Sequence, residues 1–165
     1  MNHALLLGCI LALLSPALRA QDAATAKNPA DPGIRAQLDK LDYQYEVDED
    51  NDYKLVFELE GDPARTQLVY VRSPVEEFGE HRVREIWSPA WRTEADAFPA
   101  EVANRLLEAS HNSKLGAWVK QGNLAVFVVK LPADAGEQML SDAIDAAIRS
   151  ADEMEIELSD GKDEF

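Results

Sequence analysis

Residues 45–60 read YEVDEDNDYKLVFELE, and the fold turns on whether the aspartates here bind a metal or reverse the chain. Asp48, Asp50 and Asp52 fall at every second position, as the first ligands of a calcium loop would. A helix–loop–helix calcium site starting at Asp48 needs glycine at its sixth position and a bidentate glutamate at its twelfth. Tyr53 and Leu59 stand there instead. The flanks also argue against the metal. Tyr43, Tyr45 and Val47 alternate with polar residues on one side, and Tyr53, Leu55, Phe57 and Leu59 do so on the other. Period two with aromatic and β-branched residues means strands. Asp and Asn bond nearby backbone and tolerate left-handed dihedrals. The stretch therefore predicts a hairpin turn in which the aspartates are interchangeable with Asn.

Outward from this hairpin the signals continue. Gly61-Asp62-Pro63-Ala64 is a second turn, and TQLVYV (66–71) a third strand, which makes an antiparallel meander. On the N-terminal side, Asp31-Pro32 reads as an N-cap followed by proline at the first helical position, with Ile34, Leu38 and Leu41 on one face. On the C-terminal side, Val83 to Trp87 predicts a fourth strand, broken at Pro89 within WSPAW (87–91). Phe98-Pro99 opens a helix with Val102, Ala103, Leu106, Leu107 and Ser110 as its face, and Gly116 closes that segment. Residues 117–121 and 124–131 form a second hairpin around Gly122-Asn123. LAVFVVKL is apolar on both faces and reads as a central strand. A last helix starts near Gly136 and presents Leu140, Ala143, Ile144, Ala147, Ile148 and Ala151. The closing EMEIELSDGKDEF reads either as a frayed helix end or as an edge strand guarded by charge. The fold class is α+β: an antiparallel sheet of about five to six strands, with helices at the start, middle and end. One domain spans 32–158, between a lead-in at 21–31 and an acidic tail at 159–165.

The N-terminus supplies an address. ALLLGCILALLSPALRA ends in Ser15-Pro16 and a small residue, Ala20, as a secretory signal peptide does. Pro16 and Arg19 cut the run short of the ~20 apolar residues that a membrane span needs. Cleavage after Ala20 removes 20 of the 165 residues, leaving 145, and takes away Arg19, so the net charge moves from −15 to −16. Cys9, the single cysteine, lies in a poor lipobox (LLGC, 6–9) and reads as filler in the apolar run. A cleaved chain then holds no cysteine, which removes disulfides and cysteine catalysis. The expected location is the periplasm or the bacterial exterior, with no stable membrane anchor after cleavage. Strong acidity argues against nucleic-acid partners.

Catalytic patterns are thin. His81 and His111, the histidines outside the leader, lie far apart and lack metal spacing. There is no GxSxG elbow and no phosphate loop. Acidic pairs such as Glu76-Glu77 and Glu157 with Asp160 read as solvated surface. Catalytic, cofactor and metal residues are therefore all expected to be none. Trp87, Trp91 and Trp118 are the candidate interface residues, because exposed aromatics anchor interfaces; packing in or around the core is the alternative for each.

The order of these elements resembles the YbjN family of bacterial proteins over roughly residues 34–158. The carrying stretches are YQYEVDEDNDYKLVFEL, TQLVYV, LLEASHNSKLGAWVKQGNLAVFVVKLP and AIRSADEMEIEL, with Asp50 to Asp52, Asn112, Gly116, Trp118, Ala151 and Asp152 at the matching positions. The resemblance implies a fold similar to type III secretion chaperones, often homodimeric, whose sheet accepts a partner segment. It also implies a sensory-regulatory role without an established catalytic site. The signal peptide departs from that pattern. Two functions follow as expectations: a non-catalytic exported module that binds an unknown protein or peptide, or a small periplasmic hydrolase with a carboxylate site.

Overall fold

The period-two runs come together in the computed structural model, which describes residues 29–61 and 63–165. The expected leader, its cleavage after Ala20, Cys9 and most of the 21–31 lead-in lie outside the described residues. Among those described, three helices and seven strands alternate as α1 (Pro32–Lys40), β1 (Glu46–Val47), β2 (Tyr53–Leu59), β3 (Arg65–Val71), β4 (Glu76–Phe78), β5 (His81–Arg92), α2 (Ala100–Asn112), β6 (Ala117–Gln121), β7 (Leu124–Pro132) and α3 (Glu137–Leu158). The strands form one antiparallel sheet in the order β1-β2-β3-β5-β7-β6, with β4 paired to β5. The fold is α+β with helices at the start, middle and end, as the sequence predicts.

Alternation fixes which side is covered. Leu55 of β2, Val69 and Val71 of β3, Ile86 and Ala90 of β5, and Ala125, Phe127, Val129 and Leu131 of β7 are buried in one cluster with Leu140, Ala143, Ile144, Ala147, Ile148 and Ala151 of α3. Ile34 and Leu38 of α1 and Leu106 of α2 join it. The helices therefore cover one face and leave the other open. β7 lies between β5 and β6, and its Val126 and Val128, on the open side, are buried too, which accounts for its unbroken apolar run.

The capping signals hold. Asp31 accepts from the Gly33 and Ile34 amides at 2.7 and 3.3 Å, with Pro32 at the first helical position. Gly136 caps α3, which runs unbroken to Leu158, so residues 153–158 are the helix end of the first reading, and the edge-strand reading is replaced by helix.

Four differences stand out. The first strand pairs only over Glu46–Val47, and before it Tyr43 and Tyr45 set their rings edge-on against Phe57 and Tyr53. β4 is an added strand, closing a hairpin onto β5 through Gly79 at φ 60°. Leu107 is 66% exposed and off the packed face of α2, where Leu106 carries the contact.

The fourth difference concerns Pro89, which does not break β5. The strand keeps pairing with β7 on both sides of it and absorbs the misfit as a register shift between Pro89 and Trp91. The effect falls on the other neighbour. β3 pairs with β5 only at Tyr70↔Trp87 and Val71↔Ile86, with the Arg72 amide donating onward to Glu85 O. The next residues along would oppose Leu68 to Pro89, which has no N–H to donate. Side chains replace the ladder there: Ser88 Oγ donates to Leu68 O at 2.7 Å, and Gln67 Nε2 donates to Pro89 O at 2.8 Å. A seam opens between β3 and β5.

Candidate binding cleft

The hairpin turn shapes one wall of the open face. Asn51 N donates to Asp48 O and Asp48 N to Asp52 O, both at 3.0 Å, with Asn51 at φ 64°. This is a short hairpin loop with a left-handed residue before the second strand. Asp48 Oδ1 accepts from the Asp50 and Asp52 amides at 2.8 and 2.9 Å, so the side chain organises its own turn. The opening stretch is a turn, as its flanks predict.

The aspartates are not equivalent, however. Asp52 is 3% exposed; its Oδ1 accepts from Ser73 N at 2.7 Å, and its Oδ2 lies 2.5 Å from Arg72 Nε. Burial pushes the Asp52 carboxyl up, against the Ser73 amide and the Arg72 charge. Ser73 Oγ donates to Asn51 O and accepts from the Asp31 amide. Arg84 reaches Arg72 O, Ser73 O and Asp31 Oδ2. The turn is thus tied to the end of β3, to β5 and to the start of α1. Asp52 is a junction with both oxygens engaged, of which an Asn would keep one acceptor and not the second, facing Arg72.

Beside this wall lies a cleft of about 460 Å³. Leu68, Pro89, Leu124 and Val126 supply its apolar floor, with Tyr70, Arg72 and Trp87 next to the acidic turn and Arg92, Gln121, Glu164 and Phe165 completing the lining. Burial, then the Asp48 and Asp52 charges, hold the Tyr70 phenol above its ordinary range. The Arg72 guanidinium lies 4.1 Å from the centre of the Trp87 ring. Trp87 Nε1 donates to Glu85 Oε2 at 2.7 Å, and Glu85 Oε1 sits 3.0 Å from Lys130 Nζ. The indole is therefore fixed at its polar edge and by a cation on its face, a geometry that presents a rigid surface to a ligand.

The three tryptophans part company. Trp87 lines the cleft. Trp91 is half-buried, edge-on to Phe98 at 5.5 Å. Trp118 is in the core, edge-on to Phe127 at 5.2 Å. The acidic pairs also separate: Glu76 and Glu77 are exposed on β4, whereas Glu157 takes both Nε and Nη2 of Arg105 at 2.7 Å, and that hydrogen bond holds its carboxyl below the usual range. Among the described residues no group of three or more His, Cys, Asp or Glu side chains is arranged to hold a metal ion, and no helix is long and apolar enough to cross a membrane.

Arg72, Arg92 and Phe165 are cleft residues that the sequence does not single out. Arg72 was findable, since it lies two residues beyond Tyr70, just past the end of a predicted strand; Phe165 was not, because nothing in the pattern says where the tail goes. No protein-family model matches the chain, and no curated protein matches it.

Proposed function

We propose that this chain is a non-catalytic, exported interaction module, of the kind the YbjN resemblance implies, which takes an extended protein or peptide segment across the open face of its sheet. The observation that carries the reading is the cleft: an apolar floor, a Trp held rigid by Arg72 and Glu85, and fixed charges of both signs at its rim. Apolar floors with a few placed polar groups suit side-chain capture, and Trp and Arg are the commonest anchors of binding energy. The hydrolase alternative gains no support from the acidic pairs: Glu76 and Glu77 are exposed on β4 and do not line the cleft, and Glu157 is engaged by Arg105.

The test is a random-sequence peptide array probed with the labelled protein. A subset of peptides is expected to bind, with binding reduced about tenfold by Trp87→Ala and unchanged by Arg149→Ala on the exposed side of α3. Binding that ignores Trp87→Ala, or no binding at all, refutes the reading.

A further inference from the structure

The tail does not trail away from the domain. After α3, Asp160 and Gly161 adopt φ of 56° and 77° and turn the chain back toward the sheet. Residues 161–165 are held mainly through their backbone. Arg65 Nη1 donates to the carbonyls of Gly161 and Lys162 at 3.2 and 3.3 Å. Glu155 Oε1 accepts from the amides of Glu164 and Phe165 at 2.6 and 3.1 Å. Two contacts read side chains. The Asp163 carboxylate accepts from Thr66 N and Oγ1 at 3.2–3.3 Å. The Phe165 ring lies 5.8 Å from the Arg92 guanidinium carbon and lines the cleft.

The groups that hold the tail are fixed without it. Arg65 Nε donates to Asp152 Oδ1 at 2.6 Å and Nη2 to Glu155 Oε2 at 2.7 Å, with the Arg65 and Glu155 side chains 11% and 0% exposed. They form a clamp with donors for carbonyls and an acceptor for amides. It stands at the end of the seam where β3, lacking β5, turns its Thr66 amide to the tail instead. A strand edge freed from its ladder takes extended peptides readily. Residues 160–164 are themselves exposed and add little to the core, so an equivalent segment could replace them at small loss.

We propose that the seam end of the cleft docks an extended segment of a partner protein that carries a carboxylate two residues before an aromatic ring, and that the tail holds this place in cis as a competitor. The inference rests on the reading of the cleft as a peptide site and names what enters it. A tethered competitor has a high effective concentration and lowers the apparent affinity of any incoming segment by the fraction of open sites.

The probe is a fluorescein-labelled SDGKDEF peptide, the sequence of residues 159–165, titrated against the intact protein by fluorescence anisotropy. Wild type is expected to bind weakly, and Asp163→Ala combined with Phe165→Ala to bind about tenfold more tightly as the cis tail lets go. The same peptide with alanine at both of those positions should bind neither protein. Circular dichroism checks the fold of the double variant; if it is perturbed, Phe165→Ala alone, expected to tighten binding roughly threefold, takes its place. Unchanged affinity in the folded variant overturns the proposal. So does a wild-type dimer in sedimentation that dissociates on Phe165→Ala, since a second copy's tail would then be the occupant. If Trp87-dependent array peptides exist while this test fails, only this inference falls; if no array peptide binds, the general reading falls with it.

Discussion

Asp31 performs two tasks that a pair of substitutions separates. One oxygen caps α1, and the other meets Arg84, whose side chain is 3% exposed while that of Asp31 is 28% exposed. Losing an N-cap costs about 1 kcal/mol. Orphaning a buried charge costs roughly 3–5 kcal/mol, but Arg84 Nη1 keeps two backbone carbonyls and water reaches the Asp31 side. The pair term is therefore nearer ~2 kcal/mol by the same reasoning. Asp31→Ala should destabilise by about 3 kcal/mol and Asp31→Asn, which still caps, by about 2 kcal/mol. Acidification gives a second signature. Burial alone would raise the Asp31 carboxyl, but the Arg84 hydrogen bond and the Gly33 amide outweigh it and leave the group below its ordinary value. A depressed folded-state pKa contributes stability that is present above the unfolded value of about 3.9 and lost as pH falls through the folded one. The gap between wild type and Asp31→Asn should thus be full at pH 7 and shrink below about pH 4. Urea unfolding followed by tryptophan fluorescence at several pH values measures it, and a double-mutant cycle with Arg84→Met isolates the pair. Two variants indistinguishable from wild type at pH 7, or a gap that does not close in acid, would refute the reasoning.

Other outcomes follow from single sites. Gly116 sits at φ 82°, and a Cβ there would lie 2.6 Å from Val128 O and 2.7 Å from the Phe127 ring; Gly116→Ala should destabilise by about 3 kcal/mol in the same urea assay. Ile144, 1% exposed between α3 and the sheet, should not tolerate Asp: circular dichroism of Ile144→Asp is expected to show an unfolded chain, and a folded one would contradict the packing of α3. The signal-peptide reading expects a mature protein that begins at Gln21 by intact mass, whereas a retained Met1 or a lipidated Cys9 would overturn it.

Local chemistry was legible and long-range chemistry was not. The Asp31-Pro32 cap, the turn at 48–52, the Gly122-Asn123 hairpin and the Gly136 start are written in neighbouring residues, and each stands where the sequence puts it. Pro89 misled because propensity counts the missing donor and cannot see Gln67 and Ser88, 22 and 20 residues from their partners, bridging the gap. Asp52 looked like any turn acid because its bond to Ser73 spans 21 residues. Trp87 and Trp118 have the same composition signal and opposite fates, which strand register alone decides. The docking of the tail was not legible, since its partners Arg65 and Thr66 are nearly a hundred residues earlier.

The seam also divides the sheet mechanically. β1–β2–β3 and β5–β7–β6 are two leaves whose backbones pair only at Tyr70–Trp87, Val71–Ile86 and the Arg72–Glu85 bond, with the Gln67 and Ser88 side chains bridging the rest. The cleft lies over that line, with Leu68 and Tyr70 on one leaf and Val126 and Leu124 on the other, so its width follows from how the two leaves are set against each other. Helix α3 packs on β3 of the first leaf and on β5 and β7 of the second, and its Asp152 and Glu155 also grip Arg65, so it is a brace across both leaves. We infer that cutting the brace by Asp152→Ala lets the leaves flex; hydrogen exchange should then quicken at the β3 amides along that line while β7 stays protected, and uniform exchange across both leaves would count against such flexing.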